Sequence, residues 1–396
     1  MTRALHIVGS DEPRAVFEAL RDALSGGGAA VLARDPRAPS SIGSGASAGT
    51  GVGDHERVPS TVPQNVALVV ETSGSTGLPK RVAISADALL ASAAASASAL
   101  GGQGQWILAL PAHYVAGAQV LVRSLAAETE PVIVPAGHFD PIVFGEFART
   151  MTADARFVSL VPVQLARLLD AAESDATLLS TLQRFDGILV GGQALAPALR
   201  ERAHRADVAL TATYGSSETS GGCVYDGAPI GNTLVRSVDD LLELSGSVLA
   251  EGYLADPLRT EAAFHSDAGH RWYRTGDLGT VEDGRVVVFG RADNVIISGG
   301  EKVLLDAVER SVRMEQGLSD AVVIAMPNVE WGQVPVVVVV GRSPISVKEL
   351  RRRMGDRLGP AAAPSAIVEI DHLPMLASGK PDRITIAAIV ESDLAP

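Results

Sequence analysis

Val66-Ala67-Leu68-Val69-Val70 runs, through Glu71, into Thr72-Ser73-Gly74-Ser75-Thr76-Gly77-Leu78-Pro79-Lys80. The first segment is a short continuous apolar run, the pattern of a buried strand. The second is a Gly/Ser/Thr loop closed by a lysine. A strand feeding such a loop is a common way to hold phosphate. Glycines let the backbone come close, and N–H groups, hydroxyls and a lysine can all face the anion. It is not a Walker A sequence, which requires G-x-x-x-x-G-K-[ST]; here Lys80 follows Pro79 and is itself followed by Arg81. In isolation a surface turn of the same composition reads equally well, so the remaining chain decides.

Upstream, residues 5–8 read as a strand. A helix follows, with Asp11 at its N-cap, Pro13 in its first turn and Val16, Leu20 and Leu24 on one face. Residues 29–33 read as another strand, and 36–60, rich in Gly, Ser, Ala and Pro, as a flexible linker. Downstream, Ser85 caps a helix over 85–100 that stops at Gly101-Gly102. Strands at 106–110, 131–134, 156–160, 187–190 and 208–213 are separated by helices near 112–127, 141–151 and 162–172. Polar loops follow strands at Gly191-Gly192-Gln193-Ala194 and at Tyr214-Gly215-Ser216-Ser217-Glu218-Thr219. This is an α/β pattern, with ligands expected at the carboxyl ends of a largely parallel sheet. From about residue 223, short strands and glycine turns indicate a β-rich subdomain that lasts to Gly290-Arg291. The last hundred residues read as a separate α+β unit, in which five consecutive valines, 336–340, mark a buried strand. The expected division is a large N-terminal domain, 1–291, and a small C-terminal one, 292–396.

Composition narrows the function. Lys and Arg total 33 against 46 Asp and Glu, a net charge of −13, which argues against a general nucleic-acid or anionic-membrane surface. A local basic site for a phosphorylated ligand remains compatible. The single cysteine, Cys223, excludes an intrachain disulfide and a multi-cysteine zinc site; it reads as a buried small residue. No apolar run approaches the ~20 residues of a membrane span, and residues 1–12 lack a signal-peptide pattern. The expected location is cytoplasmic.

Six short motifs then stand in order: the 72–80 loop, Tyr214-Gly215-Ser216-Ser217-Glu218, Tyr273-Arg274-Thr275-Gly276-Asp277-Leu278, Gly290-Arg291-Ala292-Asp293, Ser298-Gly299-Gly300 and Ser378-Gly379-Lys380. With them the chain, over roughly 64–383, resembles the adenylate-forming superfamily of acyl-CoA synthetases, luciferases and peptide-synthetase adenylation domains. Each motif alone is weak; their order carries the resemblance. It implies ATP, Mg²⁺ and coenzyme A as cofactor and co-substrates, and a carboxylate activated as acyl-AMP before a thiol displaces AMP. Attack of one anion on another requires positive charge and aligned donors at the site.

The resemblance also implies roles. Thr72, Ser73, Gly74, Ser75, Thr76, Gly77 and Lys80 would hold the β- and γ-phosphates. Tyr214, beside Gly215, would stack on adenine, with Gly191, Gly192 and Gln193 as the opposite wall. Glu218, with Thr76, would ligate Mg²⁺, a hard cation that prefers oxygen. Asp277 and Arg291 would bind ribose. Lys380 would stabilise charge on the α-phosphate, and with Glu218 and Thr76 it makes up the expected catalytic set. Asp293 would be the hinge about which a mobile C-terminal domain rotates, and Ser298, Gly299 and Gly300 would then admit the pantetheine of CoA. Arg81 departs from the pattern, since relatives usually carry Gly there.

The phosphate loop begins unusually early, at residue 72. Short chains of this kind are familiar among o-succinylbenzoate–CoA ligases of menaquinone biosynthesis, particularly actinobacterial ones. Leu110-Pro111-Ala112-His113-Tyr114-Val115-Ala116-Gly117, Val120-Leu121-Val122-Arg123-Ser124-Leu125 and the segment from Ser217 to Gly227 are similar to that subgroup. At 113–114, however, other members often have Phe-His. The expected acyl pocket is lined by His113, Tyr114, Ser159, Gly215, Ser216 and Ser220. The expected partners are thus a small carboxylic acid, ATP and CoA, with no nucleic acid; a homodimer stays open. Two other readings also stay open: a ligase for another aryl or medium-chain acid, and a catalytically dead acyl-adenylate-binding protein.

Overall fold

A computed structural model describes residues 1–36, 58–72, 80–376 and 380–393. The chain forms two compact units. The first comprises Met1–Leu195, Glu201–Val235 and Glu243–Arg274; the second comprises Ala196–Arg200, Arg236–Leu242 and Thr275–Pro396. The strand His270–Glu282 passes from one into the other.

In the first unit, a seven-stranded sheet has a parallel centre. Gln105–Leu108 pairs in parallel with Val132–Ile133 and Arg156–Leu160, and the ladder continues through Gly187–Val190 to Leu210–Ser216. Parallel strands point the same way. The segments after Leu108, Leu160, Val190 and the end of Leu210–Ser216 therefore meet at one edge, where α/β folds bind ligands. Gly221–Tyr225 and Ala228–Pro229 extend this sheet antiparallel. Arg156–Leu160 and Gly187–Val190 are buried at every position, as strands covered on both faces must be. A six-stranded sheet holds Thr2–Gly9, Ala30–Arg34 and Val66–Thr72 in parallel, with Thr61–Pro63, Lys80–Ser85 and Gly252–Tyr253 antiparallel.

In the second unit, Asp277–Glu282 of the long strand pairs with Arg285–Arg291, with Asp277 opposite Arg291. Beyond it a five-stranded sheet is centred on Gly332–Val340, which pairs antiparallel with Val322–Asn328 and in parallel with Ala366–Ile370. The valine run is explained by its two covered faces. Val337 and Val339 pack against Val308 and Val312 of one helix and Leu350 and Met354 of another. Val336 and Val338 pack on the other face against Ile386 and Val390 of the helix Arg383–Asp393.

The expected α/β class holds, and the structure corrects local readings. Lys80, the last residue of the phosphate loop, begins a strand, Lys80–Ser85, to which the sequence reading assigns no element beyond the loop. Ser85 does cap that helix, accepting from the Ala88 N–H. The first helix, Pro13–Leu24, has Glu12 at the N-cap position and no side-chain cap, so Asp11 does not play that part. Tyr214, Gly215 and Ser216 lie on a strand, not in the loop after it. Much of the expected linker, residues 37–57, lies outside the described residues. Cys223 is buried, as its surroundings in the sequence imply. Among the described residues no helix is long and apolar enough to cross a membrane.

Candidate active site

Thr72 and Lys80 face each other as the last pair of an antiparallel ladder, so both roots of the glycine loop are held side by side. Ser73, Gly74, Ser75, Thr76 and Gly77 lie outside the described residues. One step in from the roots, Glu71 lies opposite Arg81. The Glu71 carboxylate accepts from Arg81 Nε at 3.0 Å and from Arg34 Nε and Nη2 at 2.9 and 2.6 Å. Arg81, in place of the usual glycine, thus ties the loop's exit strand to its entry strand and to Ala30–Arg34. Burial pushes the Glu71 carboxyl up, but the hydrogen bonds and charges of both arginines pull it further down, leaving it below the ordinary carboxylate range. A depressed folded-state pKa contributes stability that is present above the unfolded value and lost as pH falls through the folded one. Glu71→Gln is therefore expected to cost about 2 kcal/mol at neutral pH, less than a fully buried pair because both side chains keep some exposure. Denaturant unfolding should show that difference shrinking as pH falls below about 4.

Glu218 sits in a 3₁₀ turn, Ser217–Thr219, directly after the Leu210–Ser216 strand. The turn is fixed by Thr219, whose hydroxyl accepts from the Ser216 N–H at 2.9 Å and donates to the Gly221 carbonyl at 2.8 Å. Gly215 must be glycine here: its φ is +159° and an added Cβ would lie 2.1 Å from the Gly221 oxygen. Glu218 is 5% exposed, and its Oε1 accepts from the Tyr253 hydroxyl at 2.8 Å. Among the described residues nothing hydrogen-bonds Oε2. A fixed carboxylate with one oxygen uncommitted fits Mg²⁺. No cluster of three or more metal-ligating side chains exists among the described residues. The ion would then take most of its ligands from phosphate and water, as Mg²⁺ usually does.

Gly191, Gly192 and Gln193 follow Gly187–Val190 and are tied back by the Gly191 N–H donating to the Leu160 carbonyl at 3.2 Å. Tyr214 lies on the neighbouring strand, at a register shift between Tyr214 and Gly215. Such bulges re-aim side chains beside active sites. The two expected adenine walls thus rise from adjacent parallel strands.

In the second unit, Arg291 Nη1 donates to Asp277 Oδ1 at 3.2 Å and to the Thr275 carbonyl at 2.8 Å. Its Nε and Nη2 donate to Asp293 Oδ1 and Oδ2, each at 3.2 Å. One arginine therefore joins the expected ribose carboxylate to the expected hinge carboxylate. Lys380 is exposed by area. Even so, desolvation by nearby protein, helped by Arg291 and opposed by Asp277, holds its ammonium below the usual lysine range. Ser378 and Gly379 lie outside the described residues. Ser298 is buried, and its hydroxyl has no partner among the described residues. Gly299 takes φ +57°, and a Cβ there would meet the Trp331 ring at 2.6 Å. Gly300 has open space around it.

At the acyl side, His113 Nδ1 is hydrogen-bonded to Ser10 Oγ at 2.8 Å and its ring lies 4.1 Å from that of Tyr114. The buried Ser216 hydroxyl has no partner among the described residues, whereas Ser220 is fully buried and commits its hydroxyl to the Val248 carbonyl. Ser159 accepts from Arg123 Nη1 at 3.3 Å. Arg123 was not among the expected site residues. It is 6% exposed, its guanidinium lies 4.8 Å over the Trp106 ring, and its buried Nε has no partner among the described residues. No carboxylate of a described residue pairs with it. The signal was present in the sequence: one arginine interrupts the otherwise apolar stretch Val120-Leu121-Val122-Arg123. Tyr253 was also missed, and nothing about a Gly-Tyr pair marks it in advance.

This two-unit α/β architecture, with its glycine-loop hairpin, buried metal-competent glutamate and C-terminal lysine, is that of an adenylate-forming enzyme. The AMP-binding enzyme family matches residues 3–246, and the AMP-binding enzyme C-terminal domain matches 307–380. The chain belongs to the AMP-binding enzyme family. It is 34% identical over 393 residues to a probable 2-succinylbenzoate–CoA ligase of Mycobacterium tuberculosis, covering 97% of each chain. It is 29% identical to a 2-succinylbenzoate–CoA ligase of Listeria monocytogenes over 80% of this chain and 68% of that one. Among solved structures it is similar to the o-succinylbenzoate CoA synthetase (MenE) of Bacillus subtilis in complex with the acyl-adenylate intermediate OSB-AMP. That similarity has a TM-score of 0.70 and 25% identity, over 83% of this chain and 70% of that one. The fold is also shared with an E. coli MenE variant, with a TM-score of 0.74 and 23% identity, over 99% of this chain and 88% of that one.

Proposed function

We propose that the protein joins 2-succinylbenzoate to coenzyme A in menaquinone biosynthesis. In the first step a substrate carboxylate oxygen bonds to the α-phosphorus of ATP and pyrophosphate leaves. In the second the CoA thiolate bonds to the acyl carbon and AMP leaves. The observation that carries the choice of acid is Arg123, a buried guanidinium with no carboxylate partner among the described residues. An uncompensated buried charge is costly to fold, and a dianionic acid supplies the missing counter-charge through its second carboxylate. His113 and Tyr114, just before the helix Val115–Ala126 that carries Arg123, offer an aromatic boundary of two tilted rings.

The chain's residues divide the work. Backbone and hydroxyl groups of the 72–80 loop, with Lys80, hold the β- and γ-phosphates. Tyr214 and the 191–193 segment hold adenine. Asp277 accepts from the ribose hydroxyls, with Arg291 fixing its carboxylate. Glu218, with Thr76, holds Mg²⁺, which when bound neutralises the phosphate charge. Lys380 stabilises charge on the α-phosphate. Thioester formation needs that space cleared, so the part of the chain beyond Asp293 turns between steps and brings Ser298-Gly299-Gly300 to the pantetheine. ATP and CoA as co-substrates favour a cytoplasmic setting.

The test is AMP release dependent on both ATP and CoA, across carboxylic acids. 2-Succinylbenzoate should exceed benzoate, cinnamate and octanoate by about 10²-fold or more in kcat/KM; equal values for octanoate and 2-succinylbenzoate would reject the assignment. The hinge has its own test. Asp293→Pro fixes φ near −65° and should allow a first-turnover burst of pyrophosphate while slowing thioester formation. Unchanged rates in both half-reactions would remove Asp293 from that role.

A further inference from the structure

Gly252-Tyr253 is a two-residue strand that pairs with the exit strand of the phosphate loop, with Tyr253 opposite Val82, two residues beyond Lys80. Its backbone is locked. The Tyr253 N–H donates to Thr260 Oγ1 at 2.9 Å, and that hydroxyl donates to the Asp256 carbonyl at 2.9 Å. This close approach requires glycine at 252, where φ is +143° and a Cβ would lie 2.4 Å from the Thr260 methyl. The Tyr253 ring is held edge-on to Phe264 at 6.1 Å. Tyr253 has its hydroxyl on Glu218 Oε1, and Lys80 Nζ lies 5.8 Å from its ring centroid. Arg259 approaches the ring at the same distance. The same short segment also grips the Glu218 backbone, since the Ala250 N–H donates to the Glu218 carbonyl at 2.8 Å.

These contacts converge on two groups that otherwise come from distant parts of the fold: the lysine ending the phosphate loop and the carboxylate ending the Leu210–Ser216 strand. We propose that Tyr253 is a positioning residue that sets Glu218 and Lys80 in register with each other, so that metal and phosphates are bound as one unit. The inference rests on Glu218 being the Mg²⁺ carboxylate of the proposed function. The chemistry is simple. A phenol donating to Oε1 fixes the rotation of the carboxylate and leaves Oε2 for the metal. Its ring face offers Lys80 a cation–π contact within the ~6 Å range where that attraction operates.

The test uses the full chain and separates metal binding from turnover. Calorimetric binding of ATP in the presence of Mg²⁺ but without acid, binding of AMP without Mg²⁺, and the Mg²⁺ dependence of adenylation are measured for the wild type, Tyr253→Phe, Glu218→Gln and the double variant. Tyr253→Phe keeps the ring and removes one oxygen. Loss of a group that orients a metal ligand typically costs about 10–100-fold in metal affinity. Tyr253→Phe is expected to raise the half-saturating Mg²⁺ by that factor, leave Mg²⁺-free AMP binding unchanged, and leave conversion of supplied acyl-AMP by CoA unchanged. In the Glu218→Gln background, Tyr253→Phe should have no further effect on Mg²⁺·ATP binding, because the two act through one carboxylate. The inference is overturned if Tyr253→Phe lowers the unfolding midpoint but leaves the Mg²⁺ dependence at its wild-type value. It is equally overturned if the two substitutions add independently. If the wild type shows no Mg²⁺-dependent adenylation of any acid, the functional reading itself fails, and the two failures are thereby told apart.

Discussion

Lys380→Ala should abolish only half of the reaction. Pyrophosphate release with ATP and acid is expected to fall by about 10²–10³-fold or more, the scale of removing one charge-stabilising donor from a transition state. Conversion of supplied acyl-AMP and CoA to thioester should stay within about threefold of the wild type if, as proposed, the lysine acts only in adenylation. Stopped-flow measurement of each half-reaction decides it, and an equal loss in both would mean that Lys380 supports the fold or both steps alike. The pH profile adds a second check. The Lys380 ammonium sits below the usual lysine range because of desolvation, then Arg291. Its charge is present below that depressed pKa and lost as pH rises through it. Adenylation should therefore decline at a lower pH than the ~10.4 of an ordinary lysine, while the thioester step should not follow that limb.

The α/β order was legible because strands at the centre of a parallel sheet are apolar on both faces and stop at polar loops. Gly187–Val190 and the valines 336–339 are cases where burial on both faces writes itself into composition, while Val340 at the end of the run is exposed. Lys80–Ser85 was not legible in the same way. Its residues, Lys-Arg-Val-Ala-Ile-Ser, carry two cations at the start, and what makes them a strand is pairing with Val66–Thr72 across the loop. The cations are tolerated because Glu71, on the partner strand, neutralises Arg81. The site shows the same split. Glu218, Asp277 and Lys380 stand in motifs short enough to read locally. Tyr253 matters only because the fold brings a two-residue strand against both the phosphate-loop hairpin and Glu218, 35 positions away in sequence. Contacts of that separation leave no local pattern. Asp11 failed as a cap for a smaller reason: Glu12 stands between it and Pro13, so the chain enters the helix one residue later.

Arg123→Met is the substitution that should distinguish a substrate anchor from a packing residue. Methionine keeps an unbranched apolar side chain against Trp106 and removes the charge. If Arg123 meets the second carboxylate, kcat/KM for 2-succinylbenzoate should fall by about 10²–10³-fold, within the range for truncating one partner of a buried charge pair. Benzoate has no second carboxylate, so its kcat/KM should change little. Arg123→Lys should fall between the two, because an ammonium keeps the charge but not the planar fork. Stability should move in the opposite direction. The free protein buries this guanidinium against Ser159 and Trp106 with Nε unpartnered. The desolvation cost of the buried charge then exceeds what one hydrogen bond and one cation–π contact return. Arg123→Met should accordingly raise the unfolding free energy by about 1 kcal/mol, and added 2-succinylbenzoate should stabilise the wild type but not the variant. A loss of stability together with equal losses for both acids would identify Arg123 as part of the core. A gain in stability with selectivity lost would identify a charge held in the free protein, at a cost to folding, for the acid it receives.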